Sequence, residues 1–237
     1  MSLSRLLPIV VVSFALAYLV PVSAGSAPLA AAAMVAAVLL LSVVLHRALK
    51  RRDDLTEWIA LELNKLRRIY HLGKNLGGNA ALRQWFTDLH GHFYGYLTAF
   101  DKKSFAQYQE TNGHFRKLSY HLYQIPSLET EKERVLYRDL LEAAGLVAGA
   151  RQRIQELWNG ALPSSAWNAL AALSALAGLS VLLATGPSDR LVAGAALSVL
   201  GIGATLVRSA DGMKDMSGEA LTKRYVENIA RLELKRE

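Results

Sequence analysis

The stretch from Pro28 to Arg52, PLAAAAMVAAVLLLSVVLHRALKRR, constrains this chain most. Pro28 to Leu45 carries no charge and is almost wholly apolar. As a helix rising ~1.5 Å per residue it reaches ~27 Å, close to the hydrocarbon thickness of a bilayer. His46, Arg47, Lys50, Arg51 and Arg52 then end it abruptly. Backbone N–H and C=O groups must be paired internally in hydrocarbon, so such a run crosses a membrane as a helix. Lys and Arg stay on the cytoplasmic side, so the basic stop also sets the direction of crossing.

Composition supports this through its distribution. The chain has 237 residues, 52% of them hydrophobic, and a formal net charge of +7. Charges are absent from four blocks and dense elsewhere, as in a membrane protein. The basic excess sits beside the membrane ends, where cytoplasmic retention and anionic lipid headgroups account for it. No basic run is interleaved with aromatics as a nucleic-acid groove requires, so membrane lipids and not nucleic acid are the expected partner. Cysteine is absent, which excludes disulfides, thiol catalysis and thiolate metal sites.

The expected fold is an all-α integral membrane protein. Four transmembrane helices lie in a 2+2 arrangement, with a cytoplasmic antiparallel helical bundle inserted between the pairs. The first pair, within 1–45, comprises spans at about 6–22 and 28–45. Val22-Ser23-Ala24 also fits a signal-peptidase site, but a second span so soon afterwards favours a hairpin. Pro8 and Pro21 lie near the ends of the first span, where a lost hydrogen bond matters least.

The insert, 46–160, reads as four helices. Leu55, Ile59, Leu63, Leu66 and Tyr70 continue the second span at helical spacing until Gly77-Gly78. A second helix over about 80–100 carries Leu82, Phe86, Leu89, Phe93, Leu97 and Phe100. A third over about 104–124 repeats the spacing less cleanly, with Phe105, Tyr108, Asn112, Phe115, Ser119 and Leu122. The fourth opens with Thr130 and Glu133 at capping-box spacing and runs through Leu136, Leu140, Ala143, Val147, Ala150, Ile154 and Leu157 to Asn159-Gly160.

The second pair, within 161–208, comprises spans at about 166–184 and 191–207. Pro163 suits a helix start and Trp167 an interfacial position. The tail, 209–237, carries a cytoplasmic amphipathic helix capped by Ser217, with Leu221, Tyr225, Ile229 and Leu232 on one face. Counting spans places both termini and the insert in the cytoplasm.

The spans hold no charged residue, so proton relays and coupled transport have no visible machinery. Ser13, Ser42, Asn168, Ser174, Ser180, Ser198 and Thr205 are expected to bond back to helix backbone or across helix contacts. Ala33-Ala37, Gly194-Ser198 and Gly201-Thr205 allow close helix approach. The histidines, His46, His71, His90, His92, His114 and His121, show no converging metal-ligand spacing and read as bundle surface. Asp53, Asp54, Asp211 and Asp215 sit among basic residues and read as surface ion pairs. Glu129, Glu131 and Glu133 complement a helix dipole better than they form a calcium loop. No phosphate-cradling glycine loop or nucleophile turn appears, so neither enzyme activity nor a cofactor or metal is expected.

The run into the third span, Arg151, Arg153, Ile154, Leu162, Pro163, Trp167 and Leu170, forms an R-x-R-I … L-P-x-x-x-W-x-x-L pattern. With the two-span, insert, two-span layout, it resembles the bestrophin-like membrane proteins of bacteria. The resemblance implies a homo-oligomer, pentameric if bestrophin-like, in the bacterial inner membrane. It would conduct anions along its second span. That span has no aromatic residue here, and the chain lacks the acidic cluster of a calcium clasp.

The functional expectation is an oligomeric ion channel passing small inorganic ions, anions in particular. Leu39, Leu40, Leu41 and Ser42 are the pore or gate candidates. Arg47, Lys50, Arg51 and Arg52 would ring the cytoplasmic mouth and concentrate anions there. The alternative is a non-conducting scaffold or sensor whose bundle and C-terminal helix bind a protein partner.

Overall fold

The computed structural model describes residues 7–19, 27–100, 105–184, 186, 189–212 and 219–232. Among them every regular element is helical. In order they are α1 (Leu7–Leu19), α2 (Ala27–Leu76), α3 (Arg83–Thr98), α4 (Asn112–Tyr123), α5 (Glu131–Asn159), α6 (Ser164–Ala184), α7 (Arg190–Asp211) and α8 (Glu219–Arg231). Short 3₁₀ segments, Ala80–Leu82 and Phe105–Thr111, precede α3 and α4.

The chain divides into two compact units. One comprises Met1–Arg52 and Ala161–Asp215, the other Asp53–Gly160 and Met216–Glu237. The boundary falls within α2, a single helix of 50 residues that supplies both. The second unit takes in α8, whereas the sequence reading set 209–237 apart.

In the first unit, small side chains set the spacing. Gly194 lies against Phe14, Gly201 against Ile9 and Gly203 against Leu41, so closely that an added Cβ would sit 2.6 Å from a side-chain carbon in each case. These glycines let α7 pack along α1 and α2. Ala37, Leu41 and Val44 of α2 form a core with Leu170 and Ala177 of α6 and Leu200 and Val207 of α7. Ala17, Ala30, Val181 and Ala193 join all four helices in a second cluster. Leu19, Leu29, Val43, Leu179 and Val192 remain exposed, as lipid-facing residues do.

Among the described residues, three segments contain helix long and apolar enough to cross a membrane: Pro28–Leu76, Glu131–Ala184 and Arg190–Asp211. The described part of the first expected span, α1, has 13 residues, fewer than the ~20 that a crossing needs. Residues 6 and 20–22 of that expected span, and 23–26 after it, lie outside the described residues.

The second unit follows its apolar stripes with one break. Leu82, Leu89, Phe93, Leu97 and Phe100 are buried as their spacing predicts, joined by Trp85 and Tyr96. The expected third helix is not continuous: 3₁₀ geometry gives way to α4 at Asn112, whose side chain is drawn out to Arg151. The core register shifts with it, burying Leu118 where Ser119 was expected. Thr130 and Glu133 form the capping box, and Glu133 also accepts from Asn79 at 2.7 Å. Backbone N–H groups at Thr130 and Glu129 and the Asn79 amide hold the Glu133 carboxyl below its ordinary pKa. Ser217 lies outside the described residues.

Candidate functional site

The face of α2 nominated for a pore is divided. Leu41 is 7% exposed and packed into the core beside Gly203, and Leu40 packs against the same cluster. Leu39, 62% exposed, faces outward together with Val35, Ser42 and His46. Those four recur at intervals of four, three and four residues, so they form one helical stripe. Ser42 Oγ donates to Val38 O at 2.8 Å, leaving the stripe without an unsatisfied donor at that position. Arg47 and Lys50 continue outward beyond its end, whereas Arg51 and Arg52 are half-buried.

Arg51 departs from the expected ring because Asp211 holds it. Arg51 Nη1 donates to Asp211 Oδ1 at 2.9 Å, and Nη2 donates to the Asp211 carbonyl. The same carboxylate accepts from the Leu162 backbone N–H at 3.0 Å and from Trp167 Nε1–H at 3.4 Å. Asp211 is 7% exposed, which corrects its reading as a surface ion-pair partner. It closes the end of α7 onto the start of α6 and the basic end of the apolar stretch in α2.

The hydroxyls of the apolar helices behave as their positions predict. Ser13, Ser180, Ser198 and Thr205 donate to the carbonyls of Ile9, Leu176, Gly194 and Gly201, at 2.7–2.8 Å. Ser174 Oγ has no hydrogen-bond partner among the described residues.

The most elaborate polar constellation lies in the second unit and was missed by sequence reasoning. Glu62, 0% exposed, lies in α2 at the centre of five segments. Its Oε2 accepts from the Tyr108 and Tyr225 hydroxyls, both at 2.7 Å. Its Oε1 accepts from the Tyr96 hydroxyl and, at 3.3 Å, from Arg151 Nη1. Arg151 Nη1 also donates to the Tyr96 hydroxyl oxygen. Arg151 Nη2 reaches Thr111 Oγ1 at 3.1 Å and Asn112 Oδ1 at 2.7 Å. The guanidinium carbon sits 4.5 Å from the Tyr108 ring centre and 4.6 Å from that of Phe115, within cation–π range. Tyr225 stacks on Phe100 with ring centres 3.9 Å apart.

Electrostatics hold the three tyrosines protonated and Arg151 charged. Burial, reinforced by the Glu62 charge, pushes the Tyr96, Tyr108 and Tyr225 hydroxyls well above the ordinary tyrosine pKa, so they remain donors. Burial works against the Arg151 charge, but Tyr96, Tyr108 and Glu62 outweigh it and hold its pKa above the ordinary value. Donors and acceptors of the Glu62 carboxylate and the three tyrosine hydroxyls are matched within the protein. The chemistry of the group is that of a fastening between helices.

A signal for this pair exists in the sequence. Glu62 follows Ile59 by three residues and precedes Leu66 by four, and Arg151 follows Val147 by four and precedes Ile154 by three. Each charge therefore occupies a core position of an apolar stripe, and the two are of opposite sign.

His46, His71 and His114 are exposed as expected, whereas His90, His92 and His121 are half-buried. His121 stacks on Trp85, donating from Nε2 to Trp85 O at 2.8 Å and accepting Trp85 Nε1–H at its own carbonyl at 3.2 Å. The His92 ring lies 5.0 Å from that of His121. Burial, then the His121 charge with a smaller contribution from Lys117, lowers the His92 pKa, while Asp88 opposes the shift. Among the described residues, no three His, Cys, Asp or Glu side chains are placed to hold a metal.

No protein-family model matches the sequence, and no curated protein matches it. A crystal structure described as that of a membrane protein shares the fold, with a TM-score of 0.72 at 11% identity, over 97% of this chain and 99% of the other. The shared fold and the long apolar helices support a membrane-embedded, all-helical protein.

Proposed function

We propose that this chain is a multi-pass membrane protein that assembles into an oligomeric ion channel conducting anions. The carrying observation is the outward stripe Val35, Leu39, Ser42 and His46 of α2, uncharged through its apolar part and leading to exposed Arg47 and Lys50. Four apolar helices already packed together leave no room for a pore within one chain, so conduction requires several copies around an axis. In that assembly Leu39 forms an apolar constriction that conducts when wetted, and Ser42 lies one turn further on. Arg47 and Lys50 supply the positive mouth, which raises local anion concentration. Arg51, engaged by Asp211, contributes less to that field.

This reading retains the bestrophin-like resemblance, a four-span 2+2 topology with both termini in the cytoplasm, a bacterial inner-membrane location and no enzymatic step. The absence of cysteine makes topology directly measurable, because single introduced cysteines report their side of the membrane without background labelling.

Planar-bilayer recording of the purified protein tests conduction. Anion-selective currents are expected, with selectivity reduced when Arg47 and Lys50 are both replaced by Gln. Silence from an oligomeric preparation, or selectivity indifferent to that double replacement, rejects the proposal.

A second reading, a scaffold that docks a protein partner, is favoured by one observation. Tyr120 and Tyr123 of α4 are 65% and 64% exposed beside Phe115 and Arg116. The α8 face is a poorer docking surface because Tyr225 and Leu232 are already buried. Replacing Tyr120 and Tyr123 with Ser separates the readings: a scaffold loses its co-purifying protein, whereas a channel retains its conductance.

A further inference from the structure

Within the second unit, α2 and α8 enclose a cavity of about 320 Å³ lined by Leu63, Asn64 and Arg67 on one side and Arg224, Glu227 and Asn228 on the other. Its polar groups are unevenly committed. Arg67 Nη2 donates to Asn228 Oδ1 at 3.1 Å, but its Nε–H is buried without a hydrogen-bond partner among the described residues. Asn228 is occupied at both ends, since its amide nitrogen donates to Arg224 O at 2.8 Å. Glu227, the carboxylate in the lining, has an interaction of its own. Arg224 is exposed at the cavity. Two guanidinium groups, one on each helix, therefore offer N–H donors to a common space.

A cavity lined by the guanidinium groups of Arg67 and Arg224 is complementary to an oxyanion. Guanidinium N–H groups form a planar fork that matches phosphate and carboxylate oxygens. A planar carboxylate suits one such fork. A tetrahedral phosphate presents oxygens in several directions, so it can serve forks arriving from two helices. The volume lies at the small end for ligand pockets, which admits a phosphate group together with part of the molecule that bears it. The cavity also adjoins the helix that Tyr225 fastens to Glu62, because Asn228 lies three residues, one helical turn, after Tyr225.

We propose that this cavity binds a phosphate-bearing anion between Arg67 and Arg224, and that its occupancy fastens α8 to α2. Free phosphate and the phosphate of a lipid headgroup share this chemistry. The inference is independent of whether the protein conducts ions.

The test uses the full chain with two probes. In detergent, inorganic phosphate is titrated at constant ionic strength against thermal unfolding and calorimetric binding. In vesicles, protein in phosphatidylcholine alone is compared with protein in an equimolar phosphatidylcholine–phosphatidylglycerol mixture, reading tryptic cleavage after Lys223. Saturable stabilisation by phosphate, or slower cleavage in the anionic vesicles, is expected. Arg67→Gln and Arg224→Gln should each weaken the response about tenfold or more, a loss expected for hydrogen bonds to a charged group. Arg153→Gln, at an exposed arginine paired with Glu156, should leave it unchanged. A response to phosphate that anionic lipid does not suppress identifies a soluble ligand, and one that anionic lipid replaces identifies a headgroup. If Arg67→Gln fails to fold, Arg224→Gln still decides the matter, because that side chain is exposed. No saturable response in either arm, or an undiminished response in a folded Arg224→Gln protein, overturns the proposal.

Discussion

The two units satisfy their polar groups in opposite ways. In the first, Ser13, Ser42, Ser180, Ser198 and Thr205 each turn back to a carbonyl four residues earlier, so the helices meet with those polar groups already satisfied. In the second, Glu62 is satisfied by Tyr96, Tyr108, Arg151 and Tyr225, which lie 34, 46, 89 and 163 residues away. Hydrocarbon offers no interim partner for an open donor, so apolar helices do best with local bonds. In the second unit a carboxylate and a guanidinium from distant helices satisfy one another, and the pair specifies which helices meet. Asp211 in the first unit departs from the local pattern by bonding across helices, and it stands at the last residue of α7.

The sharpest way to break this contrast is at the buried pair. Glu62→Gln or Arg151→Met leaves the opposite partner enclosed without its counter-charge and should cost about 3–5 kcal/mol in denaturant unfolding. The double replacement should recover part of that loss. Strictly additive losses would show that the pair does not act as a unit. Next in size, Gly194→Val forces side-chain atoms into Phe14 and should cost about 1–3 kcal/mol. Gly145→Ala, at a helical glycine with open space around it, should instead stabilise by roughly 0.5–1 kcal/mol. Equal effects at the two glycines would remove close packing as the principle of the first unit.

Asp211→Asn should cost about 2 kcal/mol by weakening the charge-assisted bond from Arg51, read as a lower melting temperature in detergent. Ser42→Ala, which removes only a local bond on an exposed face, should stay within about 0.5 kcal/mol by the same measurement.

The smallest expected effect is a pH dependence confined to the second unit. The folded-state pKa of His92 lies below 6.5, so the unfolded chain takes up this proton first as pH falls. Stability contributed by neutral His92 is therefore present above pH 6.5 and is lost as pH falls from there toward the folded-state pKa. His92→Gln should flatten that slope in melting curves recorded across the range. An unchanged slope would assign it to other groups.

Much of the helical outline was legible because its signals are local. The apolar run from Pro28, the Gly77-Gly78 break, the Thr130 cap and Pro163 before α6 all act within a few residues. The small residues Gly194 and Gly201 were legible for a similar reason, since they leave the same gap whichever helix fills it. The Asn112-Gly113 pair in the third helix of the insert is a local break signal, and α4 starts there; what periodicity does not carry is the bond from Arg151, 39 residues away, to Asn112. The candidate site was only half legible: helical spacing does not say which side of α2 is covered, so Leu39 and Leu41 looked alike until Gly203 received Leu41.

The sequence by itself determined that this chain forms long helices, several apolar enough for a membrane, with basic residues crowded at the ends of the apolar runs. Those properties follow from hydropathy, spacing and end signals summed along the chain. Only the tertiary structure decided which charges are enclosed. Asp211 resembles many other ionisable residues in sequence, and Glu62 and Arg151, though set at core positions of apolar stripes, owe their burial to partners supplied by distant helices. Burying a charge is tolerable only where such partners converge, and that convergence is a property of the assembled fold.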